Sequence, residues 1–419
     1  MRRGYGPISQ LSRLGRRNYI LMFWDSVIFT NAMTFLSVTV VIPYFLSTLG
    51  ANTFQIGLAS TLVGAGTLIT QPFFAKWATE TPKKLTTFVW ILTVQRVFFL
   101  IFVMLMPLLA VRHPGWTVPV FLICWGIYNL FTGSYSPFYM NLFSNMVPGN
   151  LRGSLLGFSR AAANIIAIAV SYFVGVLLKD LAFPWNYTVV FGIGAILLLV
   201  DCLDFWLMKE PPDMQEAVKI SYKAYIEIIP QILKTNKFYV KLILSYVFFT
   251  IANISLSFYS LYMIRTYHAT AGDISLLMII TGAVNIAGNL FFGVLSDRRG
   301  HILVLKISAC LGVAAGICVI GFHSILGMYA AFTFSSLCAC GYMLSNSVLI
   351  MQYSPQRHIS IYVSINIMIT TIVSSVITML SSAVIDAFSF VPVFIAFTVA
   401  ALAALIAIPA IKQNQQEAK

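Results

Sequence analysis

Charge is what this 419-residue chain has least of. Asp, Glu, Lys and Arg together make up 9% of it, against about 25% in an ordinary water-soluble domain. A chain that is 59% hydrophobic has too little polar surface to cover a soluble globule, which excludes that class. Acid is scarcer than base: 13 Asp and Glu face 26 Lys and Arg, for a net charge of +13. The cations are scattered through short loops rather than gathered in one patch. That excludes nucleic acid as the expected partner and fits the accumulation of Lys and Arg on the inner side of a membrane. Cysteine is sparse, and Cys124, Cys202, Cys310, Cys318, Cys338 and Cys340 all sit inside apolar runs. Neither a disulfide framework nor a zinc site is expected from that placement. The five histidines, His113, His268, His301, His323 and His358, lie apart in different loops, with no metal-ligand spacing and no nucleophile–base pair. A Gly-x4-Gly-Lys-Ser/Thr phosphate loop is also absent. An enzyme, an ATP-driven pump, a cofactor and a bound metal are therefore not expected. Nor is a cleavable signal: residues 1–18 are basic and polar, and the apolar run that follows is too long for one.

What the chain does have is long apolar runs. Twelve are expected to span a membrane, over roughly 19–46, 54–76, 85–110, 116–142, 153–178, 187–208, 239–264, 271–295, 302–322, 324–351, 359–385 and 390–411. Each is long enough to cross about 30 Å of hydrocarbon at about 1.5 Å per residue. The fold class is all-α, a multi-pass protein of the cell membrane with lipid as its surroundings. With the N-terminus placed in the cytoplasm, 22 of the 26 Lys and Arg fall on inner segments, only Arg112, Lys179 and Arg265 fall outside, and Arg96 is left within the membrane. That asymmetry predicts cytoplasmic N- and C-termini.

The longest hydrophilic stretch, 209–238, opens with KEPPD and divides the chain into an N-terminal bundle, 1–208, and a C-terminal bundle, 239–419. Its later part, YIEIIPQILK, is partly amphipathic, and a solvated linker and a segment lying on the inner membrane face both fit it. The two parts resemble each other. Residues 29–37 read FTNAMTFLS and residues 249–257 read FTIANISLS, with five of nine positions identical at an offset of 220. Pro148 precedes Arg152 before span five as Pro355 precedes Arg357 before span eleven. Two pseudo-symmetric six-helix bundles bracketing a midplane site describe a transporter.

Between spans eight and nine the chain reads GVLSDRRGHILVL, residues 293–305. This resembles the loop signature of the major facilitator superfamily, Gly-x-Leu-Ser/Ala-Asp-Arg/Lys-x-Gly-Arg/Lys. Gly293, Leu295, Ser296, Asp297, Arg298 and Gly300 match it, while His301 departs from the expected base. The corresponding first-half loop, AKWATETPKKL, is degenerate and keeps mainly Lys83 and Lys84. PYFLSTLGANTFQIGL and NMVPGNLRGSLLGFSR further resemble bacterial permeases of the facilitator type. The resemblance implies a monomer that moves a small organic solute by rocker-switch alternating access. A multidrug/proton antiporter and a non-transporting sensor are the alternatives. Span four has no arginine and span five no Gly-Pro element, both of which such antiporters typically carry.

The resemblance also assigns positions. Spans one, four, seven and ten are expected to line the cavity, which selects Asn31, Tyr128, Asn129, Asn253, Tyr259, Tyr342 and Asn346 as substrate-binding groups. Amides and phenols supply neutral hydrogen bonds and flat faces, and Arg160 stands either at the cavity entrance or at the inner surface. Ionisable groups are costly at membrane depth and mark function. Asp25 in span one is the expected proton-coupling residue. Arg96 in span three is expected to pair with Asp201 or Asp204 in span six. Gly293, Asp297, Arg298 and Gly300 are the expected gating elements, with Asp297 approaching Arg152 at the start of span five when the inner mouth is closed.

Reporter fusions test the topology. Fusions within 209–238 and at both ends are expected to report the cytoplasmic side, and an external linker overturns the span count.

Overall fold

The computed structural model describes residues 11–81, 83–210, 232, 234–353 and 359–409. Among these residues the chain forms fourteen helices. The first seven are α1 (Arg13–Phe35), α2 (Val41–Thr48), α3 (Thr53–Glu80), α4 (Lys84–Arg112), α5 (Pro114–Met146), α6 (Gly149–Asp180) and α7 (Trp185–Leu207). The second seven are α8 (Lys237–Asn253), α9 (Ser255–Tyr267), α10 (Ala271–Arg299), α11 (His301–Gly321), α12 (Ile325–Tyr353), α13 (Ile359–Ala387) and α14 (Phe390–Ala407). Eleven spans among them are long and apolar enough to cross a membrane unaided. The remaining span is made of α1 and α2 together. Arg13, Arg16, Arg17 and Asp25 dilute the hydropathy of α1, and α2 is only 8 residues long. The outer faces carry apolar side chains, with Trp90, Ile101, Leu108, Ile123, Leu290 and Val399 all exposed, which is the surface a lipid environment requires.

Two spans are interrupted, and both interruptions fall on the repeated stretches 29–37 and 249–257. Span one stops at Phe35 and resumes at Val41. Span seven breaks at Ile254, between α8 and α9. The first interruption has a local cause. Pro43 has no N–H to give the Thr39 carbonyl, and its ring crowds that carbonyl. Ser37 and Thr39 hydroxyls meet each other at 3.3 Å, and the Ile42 N–H turns back to the Ser37 carbonyl at 2.9 Å.

Contacts group the chain into two compact units: Met1–Lys219 with Ser260–Ile286, and Ile220–Tyr259 with Ala287–Lys419. That grouping is by contact, and the six-plus-six division by chain order remains a proposal beside it. In the first unit α1 packs on α6 and α7, α4 packs on α5 and α7, and α3 lies along α5. In the second, α8 packs on α13 and α14, and α11 packs on α12 and α14. The pairs one–six, three–six, three–four and one–five thus recur as seven–twelve, nine–twelve, nine–ten and seven–eleven, as expected of a duplicated bundle.

Aromatic side chains fill the first unit. Phe121, Trp125 and Tyr128 stack in series along α5, with ring centroids 6.2 and 5.2 Å apart. Trp125 Nε1 donates to the Ala59 carbonyl at 3.0 Å. Helices α3 and α5 touch through glycine. A Cβ on Gly133 would lie 2.2 Å from Thr70 Oγ1 and 2.7 Å from the Gly66 carbonyl oxygen. One on Gly66 would lie 2.5 Å from the backbone of Asn129. Small residues bring helices together where the surrounding solvent is itself apolar.

Gly133→Ala is expected to lower stability by about 1–3 kcal/mol through overpacking, read as a lower melting temperature in detergent. Gly115→Ala, with open space around its Cβ, is expected to leave the melting temperature unchanged.

Candidate functional site

The residues singled out inside the membrane converge in the first unit. Arg96, on α4, is 1% exposed. Its Nη2 donates to Asp201 Oδ2 on α7 at 3.2 Å, and its Nη1 to the Tyr128 hydroxyl on α5 at 2.7 Å. The guanidinium lies 5.6 Å from the centroid of the Phe29 ring, so cation–π attraction adds to the pairing. The neighbouring Gln95 fixes α4 against α5, its Nε2 donating to the Tyr128 carbonyl and to Thr132 Oγ1, both at 2.7 Å. Asp25 projects from α1 into the same centre. Its Oδ2 accepts from the Tyr139 hydroxyl at 3.1 Å, and the carboxyl of Asp201 is its nearest acidic neighbour. Asp204, one turn beyond Asp201, is half-buried, and its Oδ2 has no hydrogen-bond partner. Of the two acids offered to Arg96 by the sequence, Asp201 is therefore the one that pairs with it. Asp25 is not solitary. Among the described residues no group of His, Cys, Asp or Glu could hold a metal ion.

The same unit holds a cavity of about 190 Å³. Its walls are the interrupted segment of span one, with Thr30, Thr34, Ser37 and Thr39, together with Asn164 and Ser171 of α6 and Thr281 and Asn285 of α10. Hydroxyls and amides dominate the polar lining, and Met33, Val40, Ala167 and Met278 complete it. The interruption also frees backbone. The Thr39 carbonyl that Pro43 cannot serve accepts instead from Ser260 Oγ of α9 at 2.6 Å. Two further contacts hold this end, opposite the N-terminus of α1. Arg265 donates to Thr53 Oγ1 at 2.6 Å and to the Ala51 carbonyl at 3.1 Å. Ser275 Oγ donates to the Ser171 carbonyl at 2.7 Å, and a Cβ on the facing Gly175 would lie 2.3 Å from that of Ser275.

The seven amides and phenols selected from the sequence do not line this cavity. Asn31 sits one turn from Thr34 with Oδ1 buried and unpartnered, while its Nδ2 donates to the Val27 carbonyl at 2.8 Å. Tyr128 is committed to Arg96, and Asn129 donates to the Trp125 carbonyl at 2.8 Å. In the second unit Asn253 donates to the Phe249 carbonyl at 2.9 Å, and Tyr259 lies against Phe394. Tyr342, Asn346 and Asn366 form a chain of side-chain hydrogen bonds of 3.3 and 3.2 Å. Spans one, five and eight wall the cavity, so only span one comes from the expected set. Helix propensity carried no sign of this. The density of hydroxyls over 30–39 and Pro43 inside an apolar run were the available signals. Arg160 is exposed, and its carbonyl accepts from Asn164. Gly293 and Gly300 bound the end of α10, and Gly300 has φ +84°, which glycine adopts without strain. Arg298 is exposed. The side chains of Asp297 and Arg152 lie outside the described residues, so their expected approach remains a proposal.

The family model of the Major Facilitator Superfamily matches residues 26–262 and 242–418. The chain belongs to the Major Facilitator Superfamily. No curated protein matches this facilitator in sequence. Solved structures match its fold. A bacterial homolog of the human lysosomal transporter Spinster, inward-facing and unoccupied, is 13% identical over 95% of this chain and 96% of its own, with a TM-score of 0.68. A D-xylose–proton symporter is 16% identical over 96% and 97%, with a TM-score of 0.65. The nucleoside transporter NupG is 14% identical over 94% and 99%, with a TM-score of 0.65. The facilitator is thus a multi-pass membrane transporter with the twelve-span, two-bundle fold, and membership implies a small-molecule substrate.

Replacing one partner of the buried pair strands the other charge. Arg96→Met is expected to cost about 3–5 kcal/mol. The double variant Arg96→Met/Asp201→Leu is expected to recover much of that loss, as measured by thermal unfolding of both proteins.

Proposed function

We propose that this facilitator is a secondary transporter of a small, uncharged, hydroxyl-bearing solute, working by rocking of its two six-helix halves, 1–208 and 239–419, with proton coupling through Asp25. The observation that carries the reading is the cavity at the helix interruption. Its lining is rich in Thr, Ser and Asn side chains and, among the described residues, contains no Lys, Arg, Asp or Glu. Such a lining answers hydroxyl and carbonyl groups with neutral hydrogen bonds and offers no counter-charge to a phosphate or carboxylate. An unwound stretch of a spanning helix at a polar cavity is where transporters of this architecture bring backbone groups to a solute. The D-xylose and nucleoside named for two of the similar structures belong to the same broad chemistry.

The distribution of Lys and Arg supports cytoplasmic termini, and in that orientation the contacts of Ser260, Arg265 and Ser275 lie at the outer side. Those contacts support a closed outer mouth. Gly293, Asp297, Arg298, Gly300 and Arg152 remain the proposed inner gate. Asn31, Tyr128, Asn129, Asn253, Tyr259, Tyr342 and Asn346 remain proposed substrate contacts for stages of the cycle in which they face the solute. Asp25 supports coupling because α1 carries both its carboxyl and the cavity hydroxyls. Thr30, which lines the cavity, hydrogen-bonds to the Ser26 carbonyl at 2.7 Å, one residue from Asp25.

Uptake by proteoliposomes of radiolabelled pentoses, hexoses, polyols and nucleosides, with and without an imposed pH gradient, tests both parts. At least one of these solutes is expected to accumulate under the gradient. Thr34→Leu, which gives up only a bond within its own helix and fills the cavity, is expected to reduce uptake by roughly tenfold or more. Asp25→Asn is expected to abolish accumulation and retain exchange. If none of the panel is transported while an organic anion or cation is, the neutral-solute reading fails.

A further inference from the structure

The sequence singled out Asp25 as the proton carrier and Asp201 as a counter-ion, but the structure makes them one group. We propose that Asp25 and Asp201 hold a single proton between them, so that the proton-loading site is a carboxyl pair spanning α1 and α7 and Asp201 is itself a proton-carrying residue. This rests on the transport reading above and deepens it.

One oxygen of Asp201 lacks a hydrogen. Asp201 is 1% exposed. Its Oδ2 is bound by Arg96, while its Oδ1 is buried and receives no N–H or O–H from the described residues. Asp25, 5% exposed, is the neighbouring acid and has its own Oδ2 committed to the Tyr139 hydroxyl. Two carboxyl groups in contact cannot both be ionised without strong repulsion. A proton on one of them removes the repulsion and at the same time supplies the missing hydrogen.

The surrounding charges agree. From α4 the pair faces Arg96, its hydrogen-bonded cation, and from α5 the phenols of Tyr128, Tyr135 and Tyr139. From α7 it faces Cys202 and the half-buried Asp204, and α6 contributes the Ser159 hydroxyl, bonded to Ser26 at 3.0 Å. Asp201 and Arg96 form a neutral couple. A second ionised carboxylate would leave an uncompensated negative charge in an apolar bundle, which burial strongly opposes. With the proton bound, α1 and α7 meet through a charge-assisted hydrogen bond whose one negative charge Arg96 balances. When it leaves, like charges face each other across the α1–α7 contact. The same α1 ends in the hydroxyl-lined segment of the cavity, so proton occupancy acts on the cavity through one helix, without a separate relay.

Infrared difference spectroscopy of the full-length protein in nanodiscs tests the pair without transport. The wild type is expected to show a protonated-carboxyl band near neutral pH. Asp25→Asn and Asp201→Asn are each expected to remove it, since the remaining carboxylate no longer has a paired acid against it and Arg96 stands in the same centre to balance its charge, and Asp204→Asn is expected to retain it. A band that survives in Asp201→Asn, or that is missing from the wild type, overturns the proposal. Should Asp201→Asn fail to accumulate, melting temperatures decide in a Tyr139→Phe background, where the phenol contributes nothing. There Asp25→Asn, whose amide donates to Asp201 Oδ1 in place of the shared hydrogen, is expected to match its parent, and Asp25→Leu to melt lower. Equal melting of these two variants rejects the shared hydrogen. Transport that ignores the pH gradient while the band behaves as expected refutes the coupling reading of the preceding section and leaves the shared proton standing.

Discussion

A guanidinium enclosed by apolar helices sets the terms for the first unit. Arg96 cannot lose its charge and cannot reach water, so its neighbours must answer it. The answer draws on three helices. Asp201 on α7 supplies the opposite charge, Tyr128 on α5 accepts a second hydrogen bond, and Phe29 on α1 offers a ring. The contacts of α4 with α5 and α7 are drawn together around this one group. Tyr128 continues the stack of Trp125 and Phe121, so the charge centre and the aromatic core share a wall. Asp25 then enters a place whose charge is already balanced.

The packing follows from membrane chemistry in a second way. In lipid there is no hydrophobic reward for bringing two apolar helices together, so close approach depends on small residues and on polar side chains satisfied across the contact. Gly66 and Gly133 do the first for α3 and α5, and Gly175 with Ser275 does both for α6 and α10. Charge gathers at the Arg96–Asp201 centre, and neutral hydroxyls and amides line the cavity among the described residues.

Much of this was legible in the sequence. The spans, the internal duplication and the loop 293–305 together pointed to the superfamily that the family model confirms. The apolar runs and the helices agree to within a few residues, because the hydrocarbon thickness fixes span length. The Arg96–Asp201 pairing was readable as one of two choices, since an arginine at membrane depth needs an acid and Asp201 and Asp204 stand a single turn apart. Other features depended on geometry that spacing does not carry. Asp25 was readable as an ionisable group in span one, but not as a neighbour of Asp201, because helix rotation decides which way a residue faces. The cavity lining was missed for the same reason. The amides and phenols chosen from spans four, seven and ten turn into their own bundles, while Asn164 and Thr281 face the open space. The interruption of span one was written in Pro43 and the hydroxyl-rich 30–39 stretch, whose hydrophobicity conceals it.

The carbonyl of Thr39 carries a consequence for solvent. Pro43 leaves it without a helical donor, and Ser260 is the donor it uses. Any displacement that withdraws Ser260 exposes a bare acceptor at membrane depth, and such a group costs several kcal/mol until something hydrates it. Separation at this point is thus bound to the entry of a water molecule. The energy of parting depends on the activity of water, which makes osmotic stress a thermodynamic variable for any motion that opens this contact.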